Sequence, residues 1–116
     1  MHSRMLGDGL EVSEIGLGCM GMSEFYGARD DEGSRRTLAA ALDLGATFWD
    51  TADMYGFCHN ELLIGDFIRG MADKPVIATK FGIVRRPGEY ARSIDNSTEY
   101  IRSSCEGSLK RLGVER

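Results

Sequence analysis

The chain has 116 residues, 14 of them basic and 18 acidic, for a formal net charge of -4. That length fits one small domain over residues 1–116, able to bury roughly two-thirds of its unfolded surface, and is too short for two. With 42% hydrophobic and 28% charged residues the profile is that of a folded globular chain. It excludes general disorder, and the mild acidity argues against nucleic acid as the main partner.

No apolar run nears the roughly 18 residues that a membrane span needs. No apolar h-region follows Met1, so no secretory signal and no membrane partner are expected. Cys19, Cys58 and Cys105 are odd in number and share no finger or redox spacing, which predicts a reducing, cytoplasmic setting. Cys58 and His59 are adjacent but have no second ligand pair nearby, so they read as loop or helix-entry residues and no metal is expected.

In chain order, residues 4–6 and 10–15 flank Gly7-Asp8-Gly9 and predict a hairpin. Residues 15–19 are a short apolar strand candidate, followed by a Gly- and Met-rich loop to about Ala28. Asp30-Asp31-Glu32 opens a helix at the end where acids suit the dipole. Leu38, Ala41 and Leu42 keep its spacing and Gly45 stops it. Residues 46–50 form an aromatic strand and residues 51–59 a polar loop. Asn60 is a candidate cap for a helix carrying Leu63, Ile64, Phe67 and Ile68, ending near Gly70.

Residues 75–80 are a third strand, with Pro75 acceptable at its first position. Residues 81–95 read as a loop. A last helix starts at Asn96 or Ser97, where Asn96 and Glu99 have capping-box spacing, and Gly113 stops it. Ile101, Cys105, Leu109 and Leu112 form its apolar stripe. Arg85-Arg86 and Lys110-Arg111 read as a solvated loop and a helix C-terminal turn rather than an anion patch.

Strand and helix alternate after the hairpin, which predicts parallel strands with right-handed crossovers. A repeat of about 30 residues suits either a (β/α)8 barrel or a doubly wound sheet; a barrel needs on the order of 250 residues, so about three of eight units are expected here. Gly16-Leu17-Gly18-Cys19-Met20-Gly21 matches the dinucleotide pattern G-x-G-x-x-G. No helix opens at Gly21, however, and the first acidic strand end, Asp50, comes too late, so tight packing at glycines is the better reading.

Asp50, Tyr55 and Lys80 make a stronger set. Asp50 and Lys80 end successive strands and Tyr55 follows Asp50 closely. In a parallel barrel such ends share the face that hosts chemistry. An ammonium beside a phenol favours the phenolate, and a carboxylate fixes the ammonium. Such a set can protonate a carbonyl oxygen while hydride arrives from a cofactor. The plain alternative is a Lys–Asp ion pair with an incidental tyrosine.

The blocks Phe48-Trp49-Asp50-Thr51-Ala52-Asp53-Met54-Tyr55-Gly56 and Ile77-Ala78-Thr79-Lys80-Phe81-Gly82 resemble the N-terminal part of an aldo/keto reductase. So do the stretch from Gly16 to Ser23 and Ser108-Leu109-Lys110-Arg111-Leu112-Gly113-Val114. The resemblance runs over essentially the whole chain. It implies an N-terminal β-hairpin plus about three βα units of a (β/α)8 TIM barrel, incomplete at this length. It implies NADP(H) as cofactor, held without a dinucleotide-binding fold, and a small-molecule aldehyde or ketone as substrate.

Carried over by residue, the resemblance makes Tyr55 the general acid/base, Lys80 its electrostatic partner and Asp50 the carboxylate that holds the lysine. Gly18, Cys19, Met20 and Asp50 would lie beside the cofactor. The family's catalytic histidine ends the fourth strand, beyond these residues; His2 and His59 do not replace it. Most cofactor and substrate contacts come from later strands as well. The expectation is therefore a truncated reductase with little activity alone. The alternative is a non-catalytic fragment or binding subunit that needs a partner chain, with self-association through open strand edges. Cys58 stands where the family usually has glycine after Tyr-Gly-Phe.

Overall fold

The computed structural model describes residues 1–116. It opens with the antiparallel hairpin of β1 (Ser3–Leu6) and β2 (Leu10–Ser13), which turns through Gly7 and Gly9, both at positive φ. Three parallel strands follow: β3 (Leu17–Gly18), β4 (Phe48–Asp50) and β5 (Val76–Ala78). They lie side by side in sequence order, with Gly18 in register with Asp50 and Asp50 with Ala78. Helices α1 (Asp31–Asp43) and α2 (His59–Ile68) make the two crossovers. A short antiparallel pair, β6 (Ile83–Arg85) and β7 (Arg92–Ile94), then leads to α3 (Thr98–Leu112). The element order meets the sequence expectation, the hairpin after β5 excepted.

The core forms on one face of the parallel sheet. Side chains alternate along a strand, so Leu17, Trp49 and Ile77 point toward the helices while Phe48 and Asp50 point to the other face. Fully buried Trp49, Leu38, Ile64 and Ile68 meet there, and Leu112 closes one end. The Trp49 indole N–H donates to Ala46 O at 2.7 Å, satisfying its one polar atom. At Gly65 helices α2 and α3 touch closely: a Cβ there would run into the Arg111 carbonyl oxygen. The hairpin is tied to the N-terminal end of β4, where Thr47 N donates to Ser13 Oγ at 3.0 Å. The opposite end of the sheet is thereby left to the connections that follow β3, β4 and β5. No helix is long and apolar enough to cross a membrane.

Several expectations change in detail. Residues 81–95 are not a plain loop but hold β6 and β7; each is only three residues long, β7 exposed throughout and β6 half-buried, so neither is long enough to show an apolar alternation. Asn60 does not cap α2. Cys58 takes that position and Asn60 sits inside the helix, its amide spent on longer-range partners. Ser97, not Asn96, caps α3, its hydroxyl accepting from Tyr100 N. In the α3 stripe only Leu112 is buried; Ile101 and Cys105 are exposed. The tight-packing reading of the glycine motif holds at Gly16, where a Cβ would sit 3.0 Å from Phe48 O. It fails at Gly18, where nothing lies within 4 Å.

Candidate functional site at the strand C-termini

Asp50 is the last residue of β4 and Lys80 lies two residues past the end of β5. Pairing of the two strands in parallel brings these positions to one rim, and the backbone of the β4 loop extends the pairing: Thr51 N donates to Ala78 O and Asp53 N to Lys80 O. Lys80 Nζ is 2.6 Å from Asp50 Oδ1 and donates to Thr51 O at 2.8 Å. It also lies 5.2 Å from the centroid of the Tyr55 ring. Burial alone would lower the lysine pKa; the hydrogen bond and charge of Asp50, with Tyr55 beside it, outweigh that and raise it. Asp50, Tyr55 and Lys80 thus come together as the sequence suggested.

Of the other residues expected here, Gly18 is exposed at the end of β3 and Met20 is half-buried in the turn that follows. Cys19 is different: its side chain is fully buried in the core and its thiol is pushed up to about 12, by burial first and then by Asp50. Only its backbone serves the site, the N–H donating to Asp50 O and the carbonyl accepting from Asn60.

A polar network that local sequence did not reveal supports the rim. Asn60 is fully buried; its amide donates to Cys19 O and to Ser23 Oγ, and its carbonyl oxygen accepts from Thr51 Oγ1 at 2.7 Å. Ser23 Oγ in turn lies 2.8 Å from His59 Nδ1, and His59 Nε2 is 3.0 Å from Asp31. One chain of hydrogen bonds therefore joins the ends of β3 and β4 to the starts of α1 and α2. Glu61, also fully buried, accepts from Thr79 Oγ1 and from Arg111 Nε, both at 2.6 Å. Arg111 is thus an internal anchor for α3, not a solvated end. Burial and the Glu61 charge together raise the pKa of nearby Asp53.

The Tyr55 loop is unusual in its backbone. Gly56, Phe57 and Cys58 have φ of 60°, 53° and 71° in succession. Left-handed conformations cost a non-glycine residue about 1–2 kcal/mol each. Phe57 packs under Arg85, whose guanidinium carbon is 4.5 Å from the ring centroid and which pairs with Glu24 at 2.6 Å. Arg85 is 8% exposed, so it does not belong to a solvated loop.

A parallel α/β sheet that gathers a carboxylate, a phenol and an ammonium at the rim of its βα connections defines the structural class. Comparison with known proteins narrows the class. The sequence profile of the Aldo/keto reductase family matches residues 14–116. The chain is 42% identical over 106 residues to aldo-keto reductase yakc [NADP(+)] of Schizosaccharomyces pombe, covering 90% of this chain and 31% of that protein. It is 45% identical over 109 residues to probable aldo-keto reductase 1 of Glycine max, covering 92% of this chain and again 31% of the relative.

Among solved structures, aldo-keto reductase AKR11C1 from Bacillus halodurans in its holo form superposes with a TM-score of 0.86 at 35% identity, over 98% of this chain and 37% of that one. The glycerol dehydrogenase AKR11B4 from Gluconobacter oxydans does so with a TM-score of 0.80 at 32% identity, over 97% of this chain and 36% of its own. The chain belongs to the aldo/keto reductase family, and its fold is part of that family's barrel. It spans about a third of the length of these relatives.

Proposed function

We propose that residues 1–116 carry the proton-transfer side of an NADP(H)-dependent oxidoreductase site that interconverts a small aldehyde or ketone with its alcohol. The observation that carries this reading is the junction of Asp50, Lys80 and Tyr55 on one rim of the parallel strands. Tyr55 gives its phenolic proton to the carbonyl oxygen in the reducing direction and takes it back in the other. The Lys80 ammonium stabilises the negative charge left on the phenol oxygen. Asp50 and Thr51 O fix that ammonium at two points, which orients it without any movement during the reaction.

The cofactor supplies hydride when bound. Gly18 fits a flat group, because its face is open where a side chain would project, and Asp50 beside it is half exposed. Met20 borders the same rim. Cys19 fits only through its backbone, since its side chain faces the core. The name of the fission-yeast relative, which includes NADP(+), supports NADP over NAD. Three free cysteines suit a reducing, cytoplasmic setting.

The test is a chimera in which residues 14–116 replace the matching segment of the fission-yeast relative. Tyr55→Phe is expected to lower kcat for NADPH-dependent reduction of an aromatic aldehyde by about 100-fold or more, with the far-UV circular dichroism of the chimera unchanged. A Tyr55→Phe chimera within threefold of its parent would refute the assignment.

The unpaired outer edges of β3 and β5 favour a second statement: the 116 residues by themselves turn over carbonyl substrates negligibly, working only beside further strands in the same or another polypeptide. Saturable NADPH-dependent aldehyde reduction by the 116-residue protein alone would contradict it.

A further inference from the structure

The loop that carries Tyr55 holds a shape its own residues resist. Positive φ persists through Gly56, Phe57 and Cys58, and two of these have side chains. Such a backbone keeps a single conformation only where its surroundings over-determine it. Asp53 N ties the first half of the loop to Lys80 O, whereas the bonds from Cys58 N to Asp53 O and from Phe57 N to Met54 O only close its second half on itself.

Arg85 supplies an anchor from outside. Its guanidinium lies against the Phe57 ring, with Phe25 5.9 Å away, and is held at 2.6 Å by Glu24. These residues come from three different connections: Glu24 and Phe25 follow β3, Phe57 follows β4, and Arg85 ends β6, which follows β5. The ion pair is end-on, leaving Glu24 Oε1 and Arg85 Nε buried without a partner. A buried pair with unsatisfied atoms adds little net stability, and an apolar pair of like volume would serve that purpose as well. What a charged, planar side chain gives instead is a defined distance and angle among three loops.

We propose that Arg85, anchored by Glu24 and stacked on Phe57, is a positioning residue that fixes the Tyr55 loop and so sets where the Tyr55 ring stands against the Lys80 ammonium. Its meaning for turnover rests on the role given to Tyr55 above; its effect on the loop does not.

The experiment uses the 116-residue protein with 13C-labelled tyrosine, the Tyr55 signal being assigned with Tyr55→Phe. Arg85→Met is compared with the double variant Glu24→Met/Arg85→Met, which leaves no lone buried charge, and with Arg35→Met, which removes an exposed ion pair to Asp66. In both Arg85 variants amide exchange at Phe57 and Cys58 should quicken by about tenfold or more while the α2 amides keep their protection. The Tyr55 ring signal should shift or broaden in both, and Arg35→Met should change neither. Wild-type exchange and an unmoved Tyr55 signal in folded Arg85 variants would overturn the proposal. So would global unfolding of the double variant, for the pair would then be holding up the fold rather than the loop. If Tyr55→Phe failed to slow the chimera, the loop measurements would stand and only their catalytic meaning would fall.

Discussion

Cys58 occupies a backbone position, φ 71°, that asks for glycine. Its side chain makes no capping hydrogen bond in return, and burial raises its thiol pKa. Cys58→Gly is therefore expected to stabilise the protein by about 1 kcal/mol, the left-handed cost outweighing the added freedom of the unfolded chain. Thermal unfolding followed by circular dichroism should show a rise of about 4 °C or more.

Lys80 gives a pH-dependent counterpart. Its folded pKa is raised above 10.5, since Asp50 outweighs the effect of burial. The stabilisation is therefore fully present below the unfolded value and fades as pH rises through the folded one. Both partners are about half exposed, so Asp50→Asn should cost no more than about 1 kcal/mol at pH 7. Urea unfolding at pH 7 and again well above 10.5 should show that difference shrinking at the higher pH. At this scale the sequence was informative where chemistry is carried by residue type at a strand end, as for Asp50 and Lys80. It was silent on Arg85, whose partner Glu24 is 61 positions away, and on Asn60, whose amide reads locally as a cap but serves three distant groups.

Elements with caps and clear periodicity were legible in the residues. Asp30 caps α1 and Gly113 closes α3 in the left-handed conformation, both where expected. The β6–β7 pair was not, because two strands of three residues each, one of them exposed throughout, are too short to carry an apolar alternation. Nor did the sequence show why α2 has glycine at position 65. The structure does: α3 passes so close that any Cβ meets the Arg111 carbonyl and would lie 2.9 Å from Leu112 Cα. Gly65→Ala should thus destabilise by about 2–3 kcal/mol despite alanine's better helix propensity, measured by urea unfolding. Moving α3 would also pull Arg111 off Glu61 and leave a buried carboxylate short of its cation.

At the scale of the molecule, the two ends of the parallel sheet are divided between tasks. The hairpin holds one end through Ser13 and Thr47, and the other gathers Asp50, Tyr55 and Lys80. The alternation of strands and helices was enough to predict the shared rim, because parallel strands must send all their C-termini the same way, but not which end the hairpin holds. What alternation could not supply was the lateral bracing of the rim by Asn60, Glu61 and Arg85, which depends on which buried polar atoms find each other after the strands have paired.

The lone tryptophan of the chain sits in the middle of that arrangement, with no solvent contact and its indole N–H satisfied, one residue before Asp50. The protein consequently contains its own optical gauge. Emission from Trp49 reports whether the layer beneath the rim is intact, so an exchange at Asp50, Tyr55 or Lys80 that leaves the 116-residue chain folded can be separated from one that loosens it, in one cuvette and without a label.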